Sequence, residues 1–310
     1  MSFFRLINAE KADHPVSALC KILGVSRSGS YAWRDRPPSR RIREDAALTE
    51  KTREIHERSR RTYGYPRVHA ELRDLGASCG RRRVARLMCE SGLRGCVRGR
   101  RKRTTRRDIH AVPAPDLVRR NFAAAAPDRL WVADITYVHT DEGFFYLSIL
   151  DAHSRRAVGW SMASHLRTEL VVDALQMALW RRKPTSELIH HSDRGVQYTA
   201  LSFGKRLEEV GICASMGRAG SALDNAMAES FVSTVKCEVL HRHRFPIRET
   251  AKTAIFEYIE GFYNRTRRHS ALGYKSPVDY EKATMEEAAV AFAYPCVSVW
   301  PAMPLQRRDG

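Results

Sequence analysis

Apolar positions along this 310-residue chain change their period part-way. Up to about residue 92 they recur at the three-and-four spacing of helices; from residue 130 they gather into short runs separated by helical stripes. Residues 15–34, PVSALCKILGVSRSGSYAWR, predict two short helices around a turn at Gly24 and Val25. Leu19, Ile22 and Leu23 face inward in that reading, and Ser26 caps the second helix. Residues 36–41 are a stiff, basic connection. A charged helix over 43–60 carries Ala47, Leu48 and Ile55 on its apolar side. Segments 62–76 and 79–92 then form a helical pair ended by Gly76 and Gly92, the second packing through Val84, Leu87 and Met88.

The second half changes character. Strands over 130–138, 144–150 and 157–163, the first two joined by Asp141-Glu142-Gly143, predict an antiparallel meander. A helix over 167–182 has Leu170, Val171, Ala174, Leu175, Ala178 and Leu179 on one side. A short buried strand (188–193), a helix (199–211) and an extended segment (212–216) come next. The following helix begins near Asp224 and Asn225, both good N-caps, and buries Ala228, Phe231, Val232, Val235 and Val239. A last helix over 249–263 turns Ile255, Tyr258, Ile259 and Phe262 inward. Three strands and then alternation predict an α/β fold: a mixed five-stranded sheet with helices on both faces, preceded by all-α modules.

Three acids stand out against this pattern. Asp134 lies inside the apolar run LWVADITYV, where Asp is disfavoured and a buried carboxylate is costly unless paired or bound to metal. Asp193 ends a buried strand, and Glu229 sits on a helix beside its buried stripe, sharing a face with Ser233 and Lys236. A carboxylate in a core strand, one at a strand end and one on a helix can converge on hard cations through oxygen. Asp151, closing the second strand, suits a turn or an ion pair better than a fourth ligand.

Charge divides the chain further. Residues 1–110 hold 28 Lys and Arg against 12 Asp and Glu, or +16 of the total +18. An excess confined to the helical third is what phosphate binding asks for. Arg27, Ser28 and Ser30 would open the second helix of 15–34 toward DNA, though any small helical hairpin has that spacing. Arg81, Arg82, Arg83 and Arg86 crowd the start of the helix over 79–92. Residues 98–107, seven of ten basic, are expected to be extended until they meet DNA. Arg267 and Arg268, in NRTRRH, form a basic exit that could touch it too.

WVADITYV, HSDRGVQY and DNAMAESF, with thirty-five residues between Asp193 and Glu229, resemble the Asp-Asp-Glu motifs of retroviral-integrase-like transposases. LDAHSRRAVGW and YNRTRRHSALGYKSP narrow the resemblance to the B-frame transposases of the third bacterial insertion-sequence family, over about residues 15–280. The resemblance implies a ribonuclease-H-like core. It implies Asp134, Asp193 and Glu229 as catalytic and metal-binding, meeting in one cleft around Mg²⁺ or Mn²⁺, two ions in all. It implies DNA cleavage followed by strand transfer. Lys236 matches a basic position of the family, suited to neutralising a phosphate, and His191, Gln197 and Tyr198 belong to a motif expected to shape the DNA groove. Implied partners are double-stranded DNA (element ends and target), further copies of the chain, and an upstream-frame product joined by frameshifting.

The expected organisation is a helix-turn-helix-like segment (1–36), a second helical DNA-binding module (43–97), a basic linker (98–115), the core (116–282) and a tail (283–310). The loop 217–224 is mobile by composition, ordering on DNA. Seven cysteines without a CxxC pair suggest reduced thiols in a cytoplasmic protein, with Cys20, Cys89 and Cys213 as small core residues. His241 and His243 near Cys237 lack a second cysteine to complete a zinc site. No apolar run approaches the length of a membrane span. Two other functions fit the same residues: a nuclease of this fold that cuts without joining, and a catalytically silent DNA-binding regulator.

Overall fold

The computed structural model describes residues 3–97, 114–184, 187–218 and 222–293. Three short helices come first: α1 (Phe3–Glu10), α2 (Val16–Ile22) and α3 (Arg27–Arg34). The Ser26 hydroxyl accepts the Gly29 amide at 3.0 Å, the expected cap. Helix α1 was not anticipated; it is held by Phe4 stacking on Trp33, with ring centroids 6.0 Å apart. Cys20 is the buried residue of α2, whereas Ile22, expected inside, is 79% exposed. Ser30, expected outside, is buried.

Helix α4 (Arg40–Arg58) packs Leu48 and Ile55 against α5 (Tyr65–Asp74) and α6 (Arg81–Glu90). Gly76 and Gly92 terminate the latter two at φ +76° and +68°, a left-handed conformation that glycine adopts without a Cβ clash. This three-helix unit shares its core with the sheet domain. Leu48, Tyr63 and Val84 belong to the same buried cluster as Val132, Phe231 and Phe262.

The sheet has the order β3-β2-β1-β4-β5, from β1 (Leu130–Val138), β2 (Phe144–Asp151), β3 (Ala157–Ala163), β4 (Ile189–Ser192) and β5 (Cys213–Met216). The first three pair antiparallel, and β4 and β5 run parallel to β1. Residues alternate between its faces. Trp131 and Ala133 meet the side covered by α7 (Glu169–Arg182), α8 (Val196–Thr199) and α9 (Leu201–Glu209). Leu130 and Val132 meet α10 (Ala226–Glu238) and α11 (Arg248–Phe256). The helix expected over 199–211 is α9, and the short α8, which was not expected, precedes it, the two parted where Ala200 is extended (ψ 133°). Helix α11 widens into a π-helix over Glu257–Tyr263, which turns Tyr258, Ile259, Phe262 and Tyr263 all inward. Helix α12 (Pro277–Ala293) runs through residue 282, where a tail was expected to begin. The basic segment 98–107 and residues 294–310 of the tail lie outside the described residues. Cys89 and Cys213 are exposed rather than core, since each sits at an element end facing out. Among the described residues no helix is long and apolar enough to cross a membrane.

Gly159 lets α7 lie directly on β3. A Cβ there would stand 2.3 Å from the Ala174 carbonyl oxygen and 2.8 Å from the Ala178 Cβ. Gly159→Ala is expected to destabilise the chain by about 1–3 kcal/mol through overpacking, read as a lower urea midpoint at unchanged slope.

Candidate active site

The centre of β1 pairs antiparallel with β2, just past the stretch Leu130–Val132 that pairs parallel with β4. Asp134 occupies that position, opposite Ser148 of β2. Burial pushes its carboxyl well above the ordinary carboxylate range; the charges of Asp193 and Glu229 push it further, while the Ile135 amide and Lys236 pull it back only partly. Asp193 follows the last residue of β4, and the parallel pairing of His191 with Val132 brings that strand end beside the middle of β1. Burial raises its carboxyl too, against the Gly195 amide that it accepts at 3.1 Å. Glu229 lies in the first turn of α10, partly covered. Two turns on, burial lowers the Lys236 ammonium against the attraction of Asp134. Tyr198, buried in α8, has its hydroxyl pushed up by burial and by the charges of Asp193 and Asp134, and that oxygen has no hydrogen-bond partner.

These groups share one electrostatic field. They are not drawn into a finished ligand cage: among the described residues no three acid, histidine or cysteine side chains are close enough to hold an ion as they stand. The donor set still suits a hard divalent cation, being carboxylate oxygen throughout, with the central acid destabilised as an anion until positive charge arrives. Gln197 donates to the Leu166 carbonyl at 3.1 Å and lines a cleft of about 630 Å³ with Arg167, Thr168 and Ser202. His191, expected in the groove, is instead fully buried. Its Nε2 donates to the Asp224 carbonyl at 2.7 Å and its Nδ1 accepts from the Ser215 hydroxyl at 2.8 Å. Asp151 is structural as expected, accepting the Asp128 amide at 2.7 Å and the Ser154 amide at 2.9 Å.

Two family descriptions of an integrase core domain match residues 124–222 and 210–277, and an HTH-like domain matches 43–102. The chain is 38% identical to the transposase for insertion sequence element IS629 of Shigella sonnei, over 90% of this chain and 95% of that one. It is 36% identical to transposase InsF for insertion sequence IS3A of Escherichia coli, over 90% and 98%. This chain belongs to the insertion-sequence transposases. A protein of insertion element IS600 from Shigella sonnei is 44% identical over all of its own length and 87% of this transposase. The catalytic core domain of HTLV-2 integrase aligns with 51% of the chain and 98% of its own, at 12% identity and a TM-score of 0.39, too slight a likeness to add to the assignment.

The arginines expected on DNA divide. Arg27, Arg81 and Arg82 of the transposase are exposed. Arg83 and Arg86 instead clamp Asp45 of α4, each at 2.6 Å, and Arg86 also reaches Glu90 at 2.8 Å. Arg267 is 2% exposed and bound to Glu238, so it holds the core together. Arg268 fastens the helical unit to the core, through Glu71 at 2.8 Å and Asp74 at 2.6 Å. Both were misassigned because their acids lie far away in sequence. Residues the sequence did not single out, Arg120 and Arg218, meet at Asp224. Residues 219–221 of the loop expected to be mobile lie outside the described residues.

Proposed function

We propose that this transposase cuts and joins DNA at Asp134, Asp193 and Glu229, with Mg²⁺ or Mn²⁺ as cofactor and two ions per site. The observation that carries this is Asp134: a carboxyl in the middle of a core strand, destabilised by burial and by two further acids. Such a cluster costs folding energy and returns none unless cations neutralise it. The bound ions would supply activation of the attacking oxygen and neutralisation of the scissile phosphate. Asp134, central, would be shared between them, with Asp193 and Glu229 holding one each. Lys236, attracted to Asp134, would meet phosphate charge. In the first step water attacks phosphorus and the 3′-oxygen leaves as a hydroxyl. In the second that hydroxyl attacks a target phosphodiester, forming one P–O bond as another breaks.

The substrates are double-stranded element ends and target DNA, gripped by the 43–97 module and by copies of the chain assembled on DNA; fusion to an upstream-frame product belongs to the same proposal. Incubating the full chain with paired end and target duplexes and Mg²⁺ tests it. Joined strands that vanish with a chelator are expected. Nicked but never joined products would establish the nuclease instead, and binding without nicking the silent regulator.

Exposure decides which arginines to probe. Arg81→Glu with Arg82→Glu in the full chain should flatten the log–log salt dependence of DNA binding by about 1.8, at about 0.9 for each phosphate no longer neutralised. An unchanged slope would move the grip elsewhere. Arg83→Glu is a poor probe, since it would place a third acid beside Asp45 and Glu44.

A further inference from the structure

We infer that Asp224 and Asn225 are positioning residues that hold Glu229 in register with Asp134 and Asp193; this rests on the reading of those three acids as the reacting site. The pair occupies the 3₁₀ turn Ala222–Asn225 immediately ahead of α10, with Glu229 about one helical turn further on. Each element that bears an acid reaches this dipeptide. Asn225, 4% exposed, donates its Nδ2 at 3.0 Å to the carbonyl of Ala133, the residue before Asp134 on β1. The Asp224 carbonyl accepts His191 Nε2 at 2.7 Å, two residues before Asp193.

The carboxylate of Asp224, 1% exposed, takes Arg120 Nε on one oxygen at 2.6 Å. Its other oxygen takes the Arg218 amide at 3.0 Å and Nε at 3.1 Å. Gly217 admits this approach, for a Cβ there would stand 2.9 Å from that of Asp224. The Gly217 amide in turn donates to the Ser192 carbonyl at 3.0 Å, so the loop is stitched to the end of β4 as well.

Helix initiation alone does not explain this arrangement. Asn225 makes no side-chain cap for α10, although Asn is among the best capping residues. Its Oδ1 is buried without a partner, a cost that a merely structural residue would shed by substitution. What the arrangement does deliver is a fixed distance between Glu229 and the two strands. Reacting geometry is sensitive at that scale, since a displacement of about 1 Å can cost about a hundredfold in rate.

The test compares the full chain with Asn225→Ala, Asp224→Asn and Glu229→Gln. Each is assayed for nicking across a Mn²⁺ series, for Mn²⁺ binding by calorimetry without DNA, and for melting temperature. Glu229→Gln should abolish nicking. Asn225→Ala should slow nicking by about ten- to a hundredfold at limiting Mn²⁺ and weaken Mn²⁺ binding, with part of the rate recovered at high Mn²⁺. Asp224→Asn should do the same to a smaller degree, and it decides the matter should Asn225→Ala fail to fold. Slower nicking at unchanged Mn²⁺ affinity, with a lower melting temperature, would mean a structural role only and overturn the inference. Parental nicking and Mn²⁺ binding in both positioning variants, with Glu229→Gln inactive, would also overturn it while leaving the reacting site in place. Parental nicking by Glu229→Gln would instead remove the reading beneath it.

Discussion

Asp134→Asn should abolish both cleavage and joining, by about a thousandfold or more, while making the ion-free protein harder to melt at neutral pH. The two effects share one cause. Burial, then the charges of Asp193 and Glu229, hold the Asp134 carboxyl well above its ordinary range. An acid whose folded-state pKa is raised binds its proton more tightly in the native state, so stability falls as pH rises from about 4 toward the folded value. Asparagine cannot ionise and escapes that penalty. The variant should therefore melt above the parent at pH 7 to 8, and the gap should nearly close by about pH 4, near the unfolded value below which the parent acid is protonated in both states. Added Mg²⁺ should raise the parent melting temperature and leave the variant nearly unmoved, because under this proposal only the parent would bind it tightly in the folded state. DNA binding, which we propose rests on the exposed arginines of the helical unit, should survive. Melting curves at the two pH values beside a nicking assay check all of this. A variant that still cuts, or a gap that does not depend on pH, would rule out Asp134 as the strained centre of the site.

That centre was legible because the sequence breaks its own pattern there. In LWVADITYV every neighbour of Asp134 asks for a buried strand, and a carboxylate among them needs a reason. The sheet was legible for the complementary reason: its strands are short apolar runs that interrupt the helical spacing on either side. Gly76 and Gly92 were readable because a left-handed helix end strongly favours glycine. Features made by distant contacts were not readable. Helix α1 depends on Phe4 reaching Trp33. Asn225 looked like a helix cap because residues that cap helices also tie strands, and only the Ala133 carbonyl distinguishes the two. His191 stood in a motif beside Asp193, yet it is fully buried, its ring held between the Ser215 hydroxyl and the Asp224 carbonyl. In the run NRTRRH, charge along the chain says nothing of which arginines find an acid in space. Arg267 finds Glu238, and Arg268 finds Glu71 across the fold.

The burial of Arg267 leads to the second large effect, an expected loss of about 3–5 kcal/mol in Arg267→Met. Glu238 ends α10, the helix that carries Glu229, and is 7% exposed. Its carboxylate takes Arg267 Nε at 2.8 Å and Nη2 at 2.5 Å, and the Tyr258 hydroxyl at 2.8 Å, with Arg67 at 3.9 Å. Burial works to raise this carboxyl, but Arg267, then Tyr258 and Arg67, outweigh it and hold it below the usual range. For an acid with a depressed folded pKa, the stabilisation is complete above the unfolded value near 4.3 and is lost as pH falls through the folded one. Removing Arg267 leaves the acid buried with too little support, so its pKa should rise and the variant should instead lose stability as pH rises. The gap between parent and variant therefore widens from acid to neutral pH. Glu238→Leu combined with Arg267→Met should recover most of the loss, since a buried ion pair replaced by apolar groups of similar size is often near neutral. Urea unfolding of parent, single and double variants at pH 4 and pH 7 measures this. A single variant with parental stability but weaker DNA binding would return Arg267 to the DNA surface where the linear sequence had placed it.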